Sequence, residues 1–348
     1  MSYLYPIRLH ASLHETLWGG RRLERDQWKE LPQGESAIGE AWETEISTIV
    51  QNGPYQGQTL GELVKTLDAE LLGQQAINVF GHRFPLLAKF IDANAKLSVQ
   101  VHPTDSYSDL HEGGKLGKTE FWYILAAEPG ASIVHGFQAP VTCEEVEQAI
   151  ENVTLEGLLH EEQVQAGDVI FVPAGTVHAI GSDVLLYELQ EYSDVTYRMY
   201  DYGRLTAAGK PRELHIKRSL DVSYYGVSPK IKMDPVVVAS EENYQDRALV
   251  ACRYFLTREI SLKAGATMAG QTTDSCIIIT SVGAELQVNY GDDLSQSEVL
   301  SRGQTLVLPA ALGTFSISGL GSFLYSYVPN EQDTAWQHWN AANKEVAL

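Results

Sequence analysis

GDVIFVPAGTVHAIG, residues 167–181, is the stretch on which the reading of this chain turns. Asp168 to Val172 is a β-branched and aromatic run of strand type. Pro173-Ala174-Gly175 follows as a turn in which proline fixes φ and glycine permits a tight approach, and the turn delivers His178. Upstream, LSVQVHP (97–103) alternates, so a strand places Ser98, Gln100 and His102 on one face and Val99 and Val101 on the other. GKTEFWY (117–123) adds Glu120 at the head of another strand-like run. Gln100, His102, Glu120 and His178 together predict a buried mononuclear metal site on a small β-barrel. Two imidazole nitrogens and two oxygens suit Zn²⁺, although Fe, Mn, Ni and Co accept the same donors.

The rest of the chain repeats this punctuation. Short runs such as TEFWYILAA, ASIVHGF, DVLLYELQ, CIIITSVGAELQVNY and GTFSISG lie between Gly, Pro and Asp, which predicts a mainly β protein of sandwiches or barrels. Helical periodicity is confined to a few places, notably 59–73 and 142–160, the second with Thr142 as N-cap ahead of two acids. The terminal AWQHWN reads as a docked helix. A faint internal echo relates GDVIFVPAGTVH to GQTLVLPAALGT, with Thr314 at the position of His178. The second copy keeps strand and turn and lacks the ligand. We therefore expect a catalytic domain over 1–225, with short helical segments, and a β domain without metal ligands over 226–348.

At 348 residues the chain can bury two cores. A net charge of −20 argues against a nucleic-acid partner, and no apolar run is long enough to cross a bilayer. An anionic substrate must then be drawn past an acidic exterior by a few well-placed cations. Cys143, Cys252 and Cys276 are odd in number, far apart and without a C-x-x-C pair, so they predict neither disulfides nor a thiolate metal site. The expected setting is cytoplasmic, as a monomer or homodimer. His10, His14, His82, His111, His135, His160, His215 and His338 are read as ordinary packed or surface histidines.

The pattern G-x(5)-P-x-G-x(2)-H at 167–178 resembles the second motif of the cupin superfamily, and Gln100-x-His102 with Glu120 stands where cupins carry their first. That resemblance implies two cupin-like (jelly-roll) β-barrel domains with a few short helices. Gln100 in place of the first His, LWGG (17–20), IGEAWE (38–43), PLLAKFIDANAKLSVQVHP and GKTEFWYIL closely resemble type I mannose-6-phosphate isomerases (phosphomannose isomerases), in the short bacterial form. YELQEYSDVTYRMYDYGR, beyond His178, resembles that family's catalytic segment.

The resemblance implies one zinc ion per chain, on Gln100, His102, Glu120 and His178. It also implies catalytic roles for Arg198, Lys118, Glu188 and Asp194, and substrate-phosphate contacts from Ser98 and Lys89. Arg204 stands where long forms place a lysine. Those long forms insert a helical domain between the last two ligands, for which this chain has little room. The implied activity is interconversion of mannose 6-phosphate and fructose 6-phosphate through an enediolate. The alternatives are an isomerase or epimerase of another phosphorylated sugar, and a non-catalytic sugar-binding cupin that kept its metal. Of the candidate bases, Arg198 is poor because guanidinium stays protonated; Lys118 beside a dication and the carboxylate of Glu188 remain open.

Overall fold

The computed structural model describes residues 4–346 apart from 35 and 207. Its strands form two pairs of facing antiparallel sheets. In the first pair a six-stranded sheet runs in the order Ser12–Gly20, Ile38–Trp42, Leu86–Ala93, Val184–Glu191, Glu120–Ala127, Val169–Val172. Facing it is a five-stranded sheet ordered Tyr197–Tyr200, Val99–Val101, His178–Ile180, Ser132–Phe137, Leu159–Gln163. Ile91, Trp122, Ile170 and Leu186 from the larger sheet meet Ile133 and Ile180 from the smaller in one buried cluster. The second pair is a seven-stranded and a four-stranded sheet built from strands after residue 235, joined by the N-terminal strand Ile7–Arg8, which pairs with Thr305–Leu308.

Alternation accounts for the way the units stack. Along Val184–Glu191 and Glu120–Ala127 one set of side chains fills the first sandwich, while Phe121, Tyr123, Tyr187 and Leu189 point out into the larger core shared with the second unit. There the Phe255 ring lies 5.9 Å from Phe121 and 6.4 Å from Phe171, and Tyr123 Oη donates to Glu259 Oε1 at 3.1 Å. The terminal helix Thr334–Ala342 docks on this core through Trp339, whose Nε1 donates to the Leu249 carbonyl at 2.9 Å.

The internal echo is structural. Val169–Val172 and His178–Ile180 belong to opposite sheets of the first unit, and Thr305–Leu308 and Thr314–Gly319 to opposite sheets of the second. His178 and Thr314 each open the second strand of their pair.

Helices are short. Thr59 and Thr142 each form a capping box, with Glu62 and Glu145 respectively. The segment expected as one helix over 142–160 stops at Glu151, because Val153 takes a φ of 58°; Leu155–Leu158 is a separate 3₁₀ turn leading into a strand. Cys143–Glu151 and Ile216–Val222 cover the outer face of the five-stranded sheet, where Val99 and Val101 pack against Val146, Ile150 and Leu220. The three cysteines are free; Cys276 is buried, and Cys143 and Cys252 are half-buried.

Candidate functional site

The strand Val99–Val101 lies between Tyr197–Tyr200 and His178–Ile180, so Gln100 is registered with Arg198 on one side and His178 on the other. His102 leaves the end of that strand, and the turn Pro173–Gly175 docks on it. Gly175 adopts a φ of 90° and its N–H donates to the His102 carbonyl at 2.8 Å. Glu120 begins its strand opposite Gln190 and Val172. These contacts converge three distant segments on one buried point.

At that point both imidazoles are fixed through Nδ1: His102 on the Val195 carbonyl at 2.9 Å, His178 on the Thr176 carbonyl at 2.8 Å. Their Nε2 atoms therefore face inward, each 3.4 Å from a different oxygen of Glu120. Among the described residues these three form the one His, Cys, Asp or Glu group suited to a metal, with donor atoms all within 4.8 Å of one another and all buried. The Gln100 amide nitrogen lies 3.2 Å from His178 Nε2, beside this cluster. Burial, reinforced by the Lys118 cation, pushes His102 down to about 3, and burial also lowers His178, so both present neutral nitrogens. Backbone-anchored neutral imidazoles facing a carboxylate are the donor set a divalent cation requires, and the residues fit one.

Around this cluster runs a ladder of alternating charge. Lys118 Nζ contacts Glu120 Oε2 and lies 3.0 Å from His102 Nε2 and 4.0 Å from Glu188 Oε1. Lys89 Nζ sits 3.2 Å from Glu188 Oε1 and 3.6 Å from Glu40 Oε2. Trp122 Nε1 donates to both Glu120 Oε1 (3.1 Å) and Glu188 Oε2 (3.0 Å). Burial and the neighbouring Glu120 raise Glu188, against the pull of Lys118 and Lys89.

A cavity of about 380 Å³ opens beside the ladder, lined by Lys118, Lys89 and Glu188 on the side of the six-stranded sheet. Ser98, Gln100, Arg198 and Arg212 line it as well, and Leu17, half exposed, belongs to the lining with Trp18. Arg198 Nε donates to Ser98 Oγ at 3.3 Å and its Nη1 to the Glu213 carbonyl at 3.0 Å, both neutral acceptors. Arg212 is held by Asp201 through Nε–Oδ2 (2.8 Å) and Nη2–Oδ1 (2.6 Å), and Arg204 shares the same carboxylate. Two guanidiniums thus rest on one acid, with Arg198 nearby and paired with none. Burial lowers Arg198, followed by repulsion from Arg212.

Most of the residues singled out in the sequence come together here: Gln100, His102, Glu120 and His178 at the cluster, Lys118, Glu188, Lys89, Ser98 and Arg198 around the cavity. Two do not. Asp194 is exposed on the loop between strands and pairs with Lys115 at 2.8 Å. Arg204 turns to Asp201 and the Lys96 carbonyl, away from the cavity lining. Arg212 lines the cavity instead, carried by the basic stretch KPRELHIKRSL (210–220). His215, read as ordinary, accepts from the Arg198 N–H at 3.1 Å and so helps set the strand that carries Arg198. His135 is packed as expected, donating from Nε2 to the Phe171 carbonyl at 2.9 Å.

The chain is similar to known proteins over nearly its whole length. Residues 7–122 match the family model "Phosphomannose isomerase type I, catalytic domain". The chain is 36% identical to mannose-6-phosphate isomerase ManA of Bacillus subtilis, over 93% of its own length and 99% of the relative's. It is 34% identical to a mannose-6-phosphate isomerase of Streptococcus mutans, over 90% of this chain and 95% of that one. The solved mannose 6-phosphate isomerase from Bacillus subtilis superposes with a TM-score of 0.81 at 33% identity, covering 92% of this chain and 99% of that one. A variant phosphomannose isomerase from Salmonella typhimurium shares the fold at 16% identity, with a TM-score of 0.74 over 93% of this chain and 100% of that one.

Proposed function

The chain belongs to the type I phosphomannose isomerase family, and on that footing we propose that it interconverts mannose 6-phosphate and fructose 6-phosphate at the cavity beside Gln100 and Lys118. The observation that carries this reading is the meeting, in one cavity of small-molecule size, of a metal-capable cluster with guanidiniums that no carboxylate fully neutralises. The metal we assign is one zinc ion, held by Gln100, His102, Glu120 and His178, which when bound supplies Lewis-acid stabilisation of charge on the sugar oxygens.

Moving a proton between C1 and C2 through an enediolate needs a base, an acid and a partner for oxygen charge. Glu188 is the buried carboxylate on the cavity wall, and burial beside Glu120 raises it toward the range in which a carboxyl both takes and returns a proton. In this reading its carboxylate removes the proton from one carbon and gives it back to the neighbour. Lys118, 4.0 Å away, donates to the oxygen that gains charge. The sugar phosphate group lies toward Ser98, Arg198 and Arg212, since Lys89 already faces two carboxylates. Asp194 faces solvent and takes no part. Free thiols at all three cysteines support a cytoplasmic setting, and a monomer or homodimer suffices because one chain supplies the whole site.

The test is fructose 6-phosphate formation from mannose 6-phosphate by the purified protein, before and after chelation and with zinc restored, beside a panel of other sugar phosphates. Turnover abolished by chelator and restored by zinc is expected. Zinc-loaded protein without chelator-sensitive turnover overturns the reading, as does preference for a different sugar.

A further inference from the structure

Lys118 and Glu120 are placed by a segment that the second β unit reaches directly. Three successive N–H groups ahead of Glu120 are bound: Gly117 N donates to Asp105 Oδ1 (2.9 Å), Lys118 N to the Pro103 carbonyl (3.0 Å), and Thr119 N to Glu191 Oε1 (2.8 Å). The packing leaves no slack, since a Cβ on Gly117 would meet the Asp105 N at 2.5 Å and the Pro103 carbonyl at 2.8 Å. The second oxygen of Asp105 accepts from Tyr254 Oη at 2.8 Å. Tyr254 lies between strands Tyr244–Ala251 and Leu256–Leu262 of the second unit, with its ring 5.9 Å from Phe80.

We infer that Tyr254 is a positioning residue for this centre: by holding Asp105 it fixes residues 117–119, and through them the Lys118 amine and the Glu120 carboxylate against His102. This gives the second β unit a part in the chemistry of the first. A carboxylate with both oxygens engaged has one orientation. Losing the phenol hydroxyl takes one donor from Asp105 and loosens its hold on the Gly117 N–H, one residue from Lys118 and three from Glu120.

The test is Tyr254→Phe in the full-length protein. It keeps the ring against Phe80 and removes only the hydroxyl. Tyr327→Phe, which deletes a phenol–carboxylate bond to Asp333 elsewhere in the second unit, serves as control. Three quantities are compared: amide hydrogen exchange at 117–119, zinc affinity by competition with a chromophoric chelator, and kcat and KM separately. For Tyr254→Phe we expect exchange at 117–119 to quicken about tenfold, zinc to bind roughly tenfold more weakly, in the range found for residues that orient metal ligands, and kcat to fall with KM within twofold. Tyr327→Phe should change none of these. Unaltered exchange and zinc affinity in Tyr254→Phe overturn the inference, as does an equal change in Tyr327→Phe. The kinetic arm rests on the isomerase reading and the other two do not. Wild-type protein without isomerase activity that still shows the exchange and zinc effects would sink that reading and uphold the clamp; active wild type with an indistinguishable Tyr254→Phe does the reverse.

Discussion

Arg212→Gln is the substitution that tests the anion wall most sharply. In the structure Arg212 lines the cavity while its Nε and Nη2 are held by Asp201, leaving the other guanidinium edge for a ligand. A hydrogen bond to a charged group contributes about 1.5–3 kcal/mol, and each 1.36 kcal/mol is a factor of ten, so full loss corresponds to roughly a 10- to 150-fold weaker interaction. Arg212 is 19% exposed, which admits solvent screening and favours the lower end, about 10- to 30-fold. Glutamine also leaves Asp201 Oδ2 without its present donor, adding a negative charge near the phosphate and acting in the same direction. Because the contact is made to the phosphate before and during the proton transfer alike, the loss belongs in KM, with kcat little altered. The assay is coupled turnover of mannose 6-phosphate over a range of salt, with Arg204→Gln beside it. Arg204 points to Asp201 and Lys96, so its variant should change KM less than threefold. The reasoning fails if Arg204→Gln raises KM more than Arg212→Gln, or if Arg212→Gln lowers kcat and leaves KM untouched.

Other consequences are as direct. Glu120→Gln replaces one of the two oxygens that face the imidazoles, removes the carboxylate charge and strips the buried Lys118 of its closest partner. Breaking such a pair costs about 3–5 kcal/mol, so zinc binding and turnover should fall by on the order of a hundredfold, and the melting temperature should drop in chelator as well as in zinc. A melting temperature unchanged in chelator would contradict that ion pair. Glu191 is buried and held well above the usual carboxylate range, first by desolvation and then by Asp105. A raised folded pKa means the folded state keeps a proton that the unfolded state has released. The stability it contributes is therefore full below about pH 4.5 and declines as pH rises through the folded value. Glu191→Gln mimics the protonated acid and should stabilise the protein at pH 8 more than at pH 5, measured by denaturant melts; equal effects at both would refute the linkage.

Local periodicity accounts for how much of the site was legible. Gln100, His102 and Ser98 share a face because strand alternation depends only on neighbours, and the structure adds that Val99 and Val101 point away into a core covered by helices. His178 was legible because Pro173 and Gly175 fix a turn whose dihedrals those residues alone dictate. The same logic misled over 142–160. Val146, Ala149 and Ile150 do form a buried helical face, but Leu155, Leu158 and Leu159 serve a 3₁₀ turn and a strand after the helix ends and Val153 takes a positive φ. Arg212 was illegible for a different reason. It reaches the cavity because a short hairpin, with Leu205 bridged to Pro211, returns the chain to Asp201. No period marks such a return, and the lysine-for-arginine position suggested Arg204 in its place.

The distribution of charge decides which cations are free for an anion. Lys89 faces Glu188 and Glu40, and Lys118 faces Glu120 and Glu188, so each ammonium on the metal side of the cavity is matched by carboxylate. On the far wall Arg198 contacts only a hydroxyl and a carbonyl, and Arg212 shares Asp201 with Arg204, which is outside the cavity lining. In a chain with a net charge of −20 this local excess cannot be a by-product of overall basicity. Burial first and then repulsion from Arg212 lower Arg198, and a dianion relieves that repulsion where a neutral sugar does not. Discrimination for phosphorylated over free sugar should therefore reside on the Ser98, Arg198 and Arg212 wall. Lys118 and Glu188, paired within the ladder and proposed above to move the proton, should be indifferent to whether the phosphate is present.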